Sequence, residues 1–381
     1  MEKKWEQKIY DRTYAEIDLN AIRYNISEEK KFVGKDVKIM AVIKADAYGH
    51  GDCEVAEVLR DLVDAYGVAI PEEALRLRER GIRKMILILG YTGSGWFEEI
   101  IENDVSQTVY NYEMARKLSD VACRMEKKAR IHIKIDTGMS RIGFMPVKDN
   151  IDVIHSISEL PGLEIEGIFT HFARADEKTP DAAREPFEKY MIFVNELENR
   201  GIHIPVKHAA NSAAILQFRD SCLDMVRSGI STYGLYPSKE VVKDKIHLKP
   251  ALQWKSIVSF VKWIHPGTSV SYGGTFVADR DTKVATIPVG YADGVRRELS
   301  GKGKVLIRGQ YAPIIGRICM DQFMVDVTHI DPVLEGDEVT LIGRDGERAI
   351  SVEEVAELSH SFNYEYICGI SKRVPRKYKL S

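Results

Sequence analysis

Eight short apolar runs alternate with longer amphipathic stretches between residues 13 and 250, and this alternation constrains the fold more than any other feature of the chain. The runs are Val37–Ala45, Ala65–Ile70, Met85–Leu89, Val105–Tyr110, Ile131–Asp136, Ile165–His171, Val206–Ala210 and Met225–Gly229. Several are rich in Val and Ile, and each is bounded by Gly, Asp, Asn or another turn residue, which reads as a strand. The stretches between them, such as Pro71–Arg80, Asn111–Arg124 and Pro186–Arg200, repeat apolar residues at spacings of three and four. Met114, Leu118 and Val121 line one such face; Phe187, Met191 and Val194 line another. Pro71 stands at a helix start, where its missing N–H costs nothing. Eight strand–helix units predict a (β/α)8 barrel, which typically takes about 250 residues. A doubly wound sheet shares the alternation, which by itself does not prove closure.

After residue 250 the texture changes. Ser256–Ile264, Val284–Val289, Val305–Ile307, Phe323–Val327 and Val339–Ile342 are separated by Gly-rich and Asp-containing turns at short spacing. This predicts a mostly β domain with one helix, Ser351–Ser359. The expected organisation is a barrel over 13–250 and a β-rich domain over 251–381, with residues 1–12 packing on the latter.

A net charge of -3 gives no general pull toward nucleic acid or an anionic membrane. No stretch of about 18 uncharged apolar residues is present, and no apolar run follows the charged N-terminus, so neither a spanning helix nor a secretory signal is expected. The cysteines, Cys53, Cys123, Cys222, Cys319 and Cys368, are scattered and form no CxxC pair, so neither a disulfide framework nor a metal site is predicted. A cytoplasmic enzyme is the simplest expectation.

Barrel enzymes carry their reactive groups at the C-terminal ends of the strands, and the unusual polar residues collect there. Lys44 ends the first run, in Ala-Val-Ile-Lys-Ala-Asp-Ala-Tyr-Gly-His-Gly. Asp136 and Arg141 follow the fifth, His171 closes the sixth, Asn211 and Ser212 follow the seventh, and Arg227 stands at the eighth. A lysine at such an edge is ordinarily a snorkelling surface residue. The functional alternative is a Schiff-base lysine, available as the neutral amine when burial lowers its pKa.

The stretch Ala41–Gly51 resembles the cofactor-lysine signature of the alanine racemases. Asp136–Phe144, Thr170–Phe172, Asn211–Ala214, Arg227–Pro237, Val270–Gly274, Ile287–Gly294 and Gly316–Gln322 resemble further blocks of that family, in family order, from about Tyr14 to Arg376. The resemblance implies a barrel followed by a β domain, and a homodimer that racemises a small amino acid with pyridoxal 5'-phosphate. It implies that Lys44 carries the cofactor, that Tyr48, Ser212, Gly229, Ile230 and Tyr364 bind its phosphate, and that Asn211 also lies at the cofactor. Arg227 matches the partner of the pyridine nitrogen, and His171 a residue lying against the ring. Arg141 and Met320 match residues at the substrate, Tyr291 and Asp321 residues at the entrance corridor. Lys134 matches a lysine often carbamylated to orient that arginine.

Racemisation takes a proton from one face of Cα and delivers one to the other. Lys44 serves one face by this resemblance, and Tyr272, in Val-Ser-Tyr-Gly-Gly, serves the other from the second subunit. A phenol starts near pKa 10, so its work near neutrality asks for about 4 kcal/mol of differential stabilisation. Two positions depart from the family: Arg174 where a small residue is common, and Phe276 where Tyr is common. The rival readings are a serine-acting racemase of the same plan, a basic-amino-acid decarboxylase, and a cofactor carrier. Tyr364 favours alanine by crowding the side-chain site, the Tyr272 block is foreign to the decarboxylases, and carriers resemble the barrel alone.

Overall fold

Every one of the eight apolar runs overlaps a strand, two of the strands beginning two residues before the run, and all eight join one parallel sheet. They are β1 (Lys38–Val42), β2 (Ala65–Val68), β3 (Met85–Ile88), β4 (Ser106–Val109), β5 (Ala129–Lys134), β6 (Leu163–Phe169), β7 (Val206–His208) and β8 (Met225–Ser228). The structure is a computed structural model and describes residues 11–380. Strands β1 to β7 pair in sequence and β8 returns to pair with β1. Between β7 and β8 the seam is held by Asp224 N–H to Lys207 O (3.1 Å) and Arg227 N–H to Ala210 O (3.0 Å), with Lys207 N–H on the Asp224 carboxylate (2.7 Å). The sheet is therefore a nearly closed barrel; a doubly wound sheet would leave two free edges.

Met40, Ala65, Leu87, Phe169, Val206 and Met225 come from six different strands and pack together, filling the barrel with side chains. One of the two predicted helix faces is buried as read. On the other, Asp181–Asn199, the buried residues are Ala183, Tyr190, Phe193, Val194 and Leu197, so of Phe187, Met191 and Val194 only Val194 is fully buried. Tyr112–Arg124 is capped by Asn111, whose side chain accepts the Met114 N–H at 2.8 Å, and it buries Met114, Leu118 and Val121. The predicted helix at Pro186 begins earlier, at Asp181, so the proline lies inside it.

The described residues form two compact units: a barrel unit of Ala21–Ala47 and Gly51–Pro250, and a second unit of residues 11–20, Tyr48–His50 and residues 251–380. The second unit is built on a ten-stranded sheet among the described residues. Its order is Phe260–Ile264, Thr282–Ile287, Phe323–Asp326, Gln310–Ile315, Lys304–Ile307, Glu338–Asp345, Leu252–Ile257, Thr13–Asp18 and Arg376–Lys379, with Arg348–Ile350 on Glu338–Asp345.

Two features differ from expectation. The sequence places residue 13 in the barrel, but Thr13–Asp18 pairs antiparallel with Leu252–Ile257 (Thr13 opposite Ser256, Ile17 opposite Leu252) and parallel with Arg376–Lys379. A single alternating strand carries no record of its partner. The second unit also has a second helix, Asn363–Cys368, beside Val352–Leu358; six residues are too few to show helical periodicity. Of residues 1–12, residues 1–10 lie outside the described part, and Arg12 holds the buried Asp293 carboxylate through two hydrogen bonds of 2.8 and 2.7 Å. No helix among the described residues is long and apolar enough to cross a membrane.

Candidate active site

Lys44 follows β1 and opens an unusual turn. Ala45, Asp46, Ala47 and Tyr48 all have φ between 52 and 55°, and Gly49 has φ 81°. They form one turn of left-handed helix, a conformation that disfavours L-residues by roughly 1–2 kcal/mol each. The surroundings fix it. The buried carboxylate of Glu73 accepts the N–H of Ala45 (2.7 Å) and of Ala69 (2.8 Å). Asp46 accepts the N–H of Asp52 on its side chain (3.1 Å) and that of Gly51 on its carbonyl (2.9 Å). Strain of this kind persists where the fold over-determines it, and such places cluster at functional sites. Nothing in Ala-Asp-Ala-Tyr announces a left-handed turn.

Arg227, at the end of β8, is 3% exposed. Its NH1 donates to His208 Nδ1 (3.0 Å) and to His208 O (3.2 Å); its NH2 donates to Thr170 O (2.7 Å) and Ala209 O (2.9 Å) and lies 3.4 Å from His171 Nδ1. A guanidinium has five N–H groups in a rigid fork. These contacts use the four on NH1 and NH2 and leave Nε–H for an outside acceptor. Burial lowers the Arg227 pKa to about 10, so it keeps its charge near neutrality.

His171 closes β6 beside this fork. Burial first, then the charges of Arg227, Arg141, Lys134 and Lys44, push its pKa well below the usual histidine range. Four basic side chains thus act together to disfavour the charged form of one imidazole. Lys134 donates to Ile135 O at 2.6 Å, and burial followed by Arg227 lowers its pKa to about 7. The loop carrying Arg141 is clamped at both ends: Phe144 N–H donates to Lys134 O (2.8 Å), and Asp136 Oδ1 accepts the N–H of Gly138 and Ser140, both at 3.0 Å. Arg141 itself is exposed.

After β7, Asn211 caps the short helix Ser212–Gln217 by accepting the Ala214 N–H at 3.1 Å. Ser212 Oγ accepts from Gly229 N–H (2.8 Å) and Ser231 Oγ (2.9 Å), which occupies its lone pairs and turns its own proton outward. The Gly229 N–H is thus spent inside the protein. Ile230 opens a 3-10 turn, where a first-position N–H has no acceptor within the helix. Ser212 O–H and Ile230 N–H are donors of the kind that cradle a dianion.

In the second unit Tyr48 and Tyr364 lie with ring centroids 6.1 Å apart, Tyr364 standing on the helix the sequence did not predict. Burial, with a smaller contribution from Cys368, raises the Tyr48 pKa, so its phenol stays protonated and can donate. Tyr272, Tyr291, Met320 and Asp321 gather in a loop cluster of their own. Tyr291 N–H donates to Cys319 O (3.1 Å) and Ser271 Oγ to Arg317 O (2.6 Å). A Cβ at Gly290 would lie 2.3 Å from Met320 O, so only glycine lets these loops meet. Asp321 is held by Arg373 at 2.7 Å. Tyr272 is 70% exposed, Met320 52% and Tyr291 43%. Arg174 is tied to Glu177 at the surface.

Four residues of this architecture escape the sequence pattern. Glu73 supports the turn after Lys44; His208, His132 and Glu166 continue inward from Arg227. The three on strands share one sequence signal, a polar residue inside an apolar strand, as in Ile-His-Ile, whereas Glu73 reads as an ordinary helix residue.

The alanine racemase N-terminal domain model matches residues 17–237, and the alanine racemase C-terminal domain model matches residues 251–378. An alanine racemase of Clostridium perfringens is 49% identical over 96% of this chain and 95% of its own length; one of Methanococcus maripaludis is 46% identical over 96% and 98%. Among solved structures, alanine racemase of Clostridium difficile superposes with a TM-score of 0.92 at 42% identity, covering 97% of this chain and 96% of that one. The Bacillus anthracis alanine racemase with bound L-Ala-P superposes with a TM-score of 0.93 at 38% identity, covering 98% and 96%.

Proposed function

The chain belongs to the alanine racemase family of pyridoxal-phosphate-dependent isomerases, and from that premise we propose how its own residues divide the work of interconverting L- and D-alanine. The observation that carries the assignment is Arg227: a buried, always-charged fork at the barrel mouth with one N–H left to give, 3.4 Å from His171 Nδ1.

Pyridoxal phosphate, when bound, supplies a ring that withdraws electrons from Cα of the amino acid and so acidifies its C–H. Arg227 Nε–H is the donor for the ring nitrogen. Because a guanidinium cannot accept a proton and repels a second positive charge, it keeps that nitrogen unprotonated, which moderates the withdrawal and disfavours side reactions such as transamination. Ser212 O–H, Ile230 N–H and the phenols of Tyr48 and Tyr364 are the donors for the phosphate. Gly229 serves by fixing Ser212, and Asn211 by capping the helix that presents it.

Lys44 holds the cofactor and, with its amine free, takes or returns a proton on its face of Cα. Tyr272 does the same on the other face. Its exposure, with that of Met320 and Tyr291, supports presentation of this cluster to a second copy of the chain, giving a homodimer with composite sites. Met320, Tyr291 and Asp321 then line the approach. Arg141 binds the substrate carboxylate. Lys134, with a pKa near 7, has a neutral amine available to add to carbon dioxide, losing a proton to form a carbamate whose charge would attract Arg141. Tyr364 narrows the side-chain site toward alanine over serine. We take the domains as a cofactor-binding barrel to residue 250 and a β-rich domain from 251, and the role as cytoplasmic supply of D-alanine for peptidoglycan.

The test is incubation of the cofactor-loaded protein with single enantiomers of alanine and of serine in deuterated water, with proton NMR following Cα exchange and chiral chromatography following product. Interconversion of alanine in both directions, serine far slower, is expected. Exchange without inversion contradicts the role of Tyr272; no exchange contradicts the whole reading.

A further inference from the structure

The hydrogen bonds of Arg227 do not stop at His208. His208 Nε2 lies 2.9 Å from His132 Nδ1, His132 Nε2 lies 3.3 Å from Glu166 Oε2, and Ser106 Oγ donates to the same carboxylate oxygen at 2.5 Å. One placement of protons satisfies every link. An arginine N–H can only donate, so His208 Nδ1 accepts and the His208 proton sits on Nε2. That proton faces His132 Nδ1, so His132 also carries its proton on Nε2 and gives it to Glu166. With His208 in the other tautomer, two N–H groups would face each other at 3.0 Å in a buried site.

The charge states agree. Burial, reinforced by Arg227, holds His208 well below its usual range. Burial opposes ionisation of Glu166, yet the bonds from His132 and Ser106 prevail and keep its carboxyl below the usual range.

The backbone is built around this line of groups. Ile131 pairs with Ile165 but His132 with Gly167, so Glu166 is the extra residue of a bulge, a device that re-aims a side chain. A Cβ at Gly167 would lie 2.5 Å from His132 Nδ1, so glycine is what admits the imidazole. Phe169 stacks on His208 at 4.8 Å between centroids and 12° between planes.

We propose that Glu166 is a positioning residue for Arg227, acting through His132 and His208: it accepts the His132 Nε2 proton, without which the tautomers that suit Arg227 would leave that proton unpaired, and thereby holds the guanidinium fork with Nε–H facing the ring nitrogen. The consequence at the cofactor rests on the racemase reading above, but the tautomer lock is a property of the protein alone.

The experiment uses the full chain labelled with 15N-histidine, with and without pyridoxal phosphate, and long-range 1H–15N correlation spectra between about pH 6 and 9. The lock predicts that His132 and His208 both carry their proton on Nε2 and leave Nδ1 bare. A ring protonated on Nδ1 overturns it. Glu166→Leu is expected to mix the tautomers, lower kcat roughly tenfold with KM for alanine nearly unchanged, and shift the absorption band of the bound cofactor. Glu166→Gln, whose side-chain carbonyl still accepts from His132, is expected to recover most of both. Equal losses in the two variants, or unchanged tautomers in Glu166→Leu, contradict the proposal; if that variant does not fold, the wild-type spectra and Glu166→Gln decide. Wrong tautomers in an active racemase sink the lock alone, whereas correct tautomers in an inactive protein support the lock and count against the reaction.

Discussion

The two units handle their functional residues in opposite ways. In the barrel unit, Arg227, Lys134 and His171 are withdrawn from water, and their geometry is settled by hydrogen bonds to strand-end carbonyls and imidazoles before any ligand arrives. In the second unit, Tyr272, Tyr291 and Met320 stand exposed on loops, with only their backbones fixed by neighbours such as Cys319 O and by Gly290. A preorganised site avoids reorganising at the moment of reaction; an exposed cluster of large side chains is what an interface needs before its partner is in place. On the proposed reading, the difference matches a two-proton reaction with one half completed inside the protomer and the other only on assembly.

Removing the barrel's half gives the largest effect. Lys44→Ala is expected to lower racemisation by at least about 10^4-fold, since both the covalent anchor and one proton carrier are lost; chiral chromatography measures it. A residual rate within tenfold of wild type would contradict the assignment.

Tyr272→Phe comes next, with an expected loss of about 10^2–10^4-fold in racemisation, the range for one general acid–base group. Because Tyr272 is exposed, folding stability should be unchanged, and Cα exchange into deuterium should outlast inversion. Equal loss of exchange and inversion would mean that the phenol is not confined to one face.

The barrel also buries a carboxyl outside the site, which sharpens the contrast through stability. Glu29 is fully buried, and burial raises its pKa from 4.5 to about 7, against the smaller opposing effect of hydrogen bonds from Ser228 and Ser231. The folded-state pKa lies above the unfolded one. The folded protein is therefore unburdened below about pH 4.5, loses stability as pH rises toward 7, and carries the full loss above it, up to about 3 kcal/mol. Glu29→Gln should match wild type near pH 5 and exceed it by that order near pH 9 in denaturant midpoints. Parallel pH profiles would show that Glu29 is not charged at high pH in the fold.

The smallest effect concerns the strained turn. Ala45 is exposed, at φ 53°. Ala45→Gly removes a left-handed penalty of about 1–2 kcal/mol and adds unfolded-state entropy of about 0.4–1 kcal/mol, for a net gain of about 0.5–1 kcal/mol. A loss of stability on the same measurement would mean the turn is not strained.

Much of the barrel is legible in the sequence because its strands are buried on both faces and so appear as Val- and Ile-rich runs. Site residues at strand ends are legible for a related reason: Lys44 and Arg227 break apolar runs where a barrel puts chemistry. What stays hidden is what local pattern does not encode. Thr13–Asp18 gives no sign that its partners lie more than two hundred residues away, and Asn363–Cys368 is too short to show a period. The left-handed turn depends on Glu73, a residue on another element. His132 and His208 are 76 positions apart and become a pair only when β5, β6 and β7 align.

The central claim is that each site is completed by two copies of the chain. The direct test is a heterodimer of Lys44→Ala and Tyr272→Phe chains carrying different affinity tags, co-expressed and purified through both. Composite sites give one intact site of two, and so about half the wild-type activity from two inactive parents. No recovery above the parents would place Lys44 and Tyr272 of one site in the same chain and contradict the account.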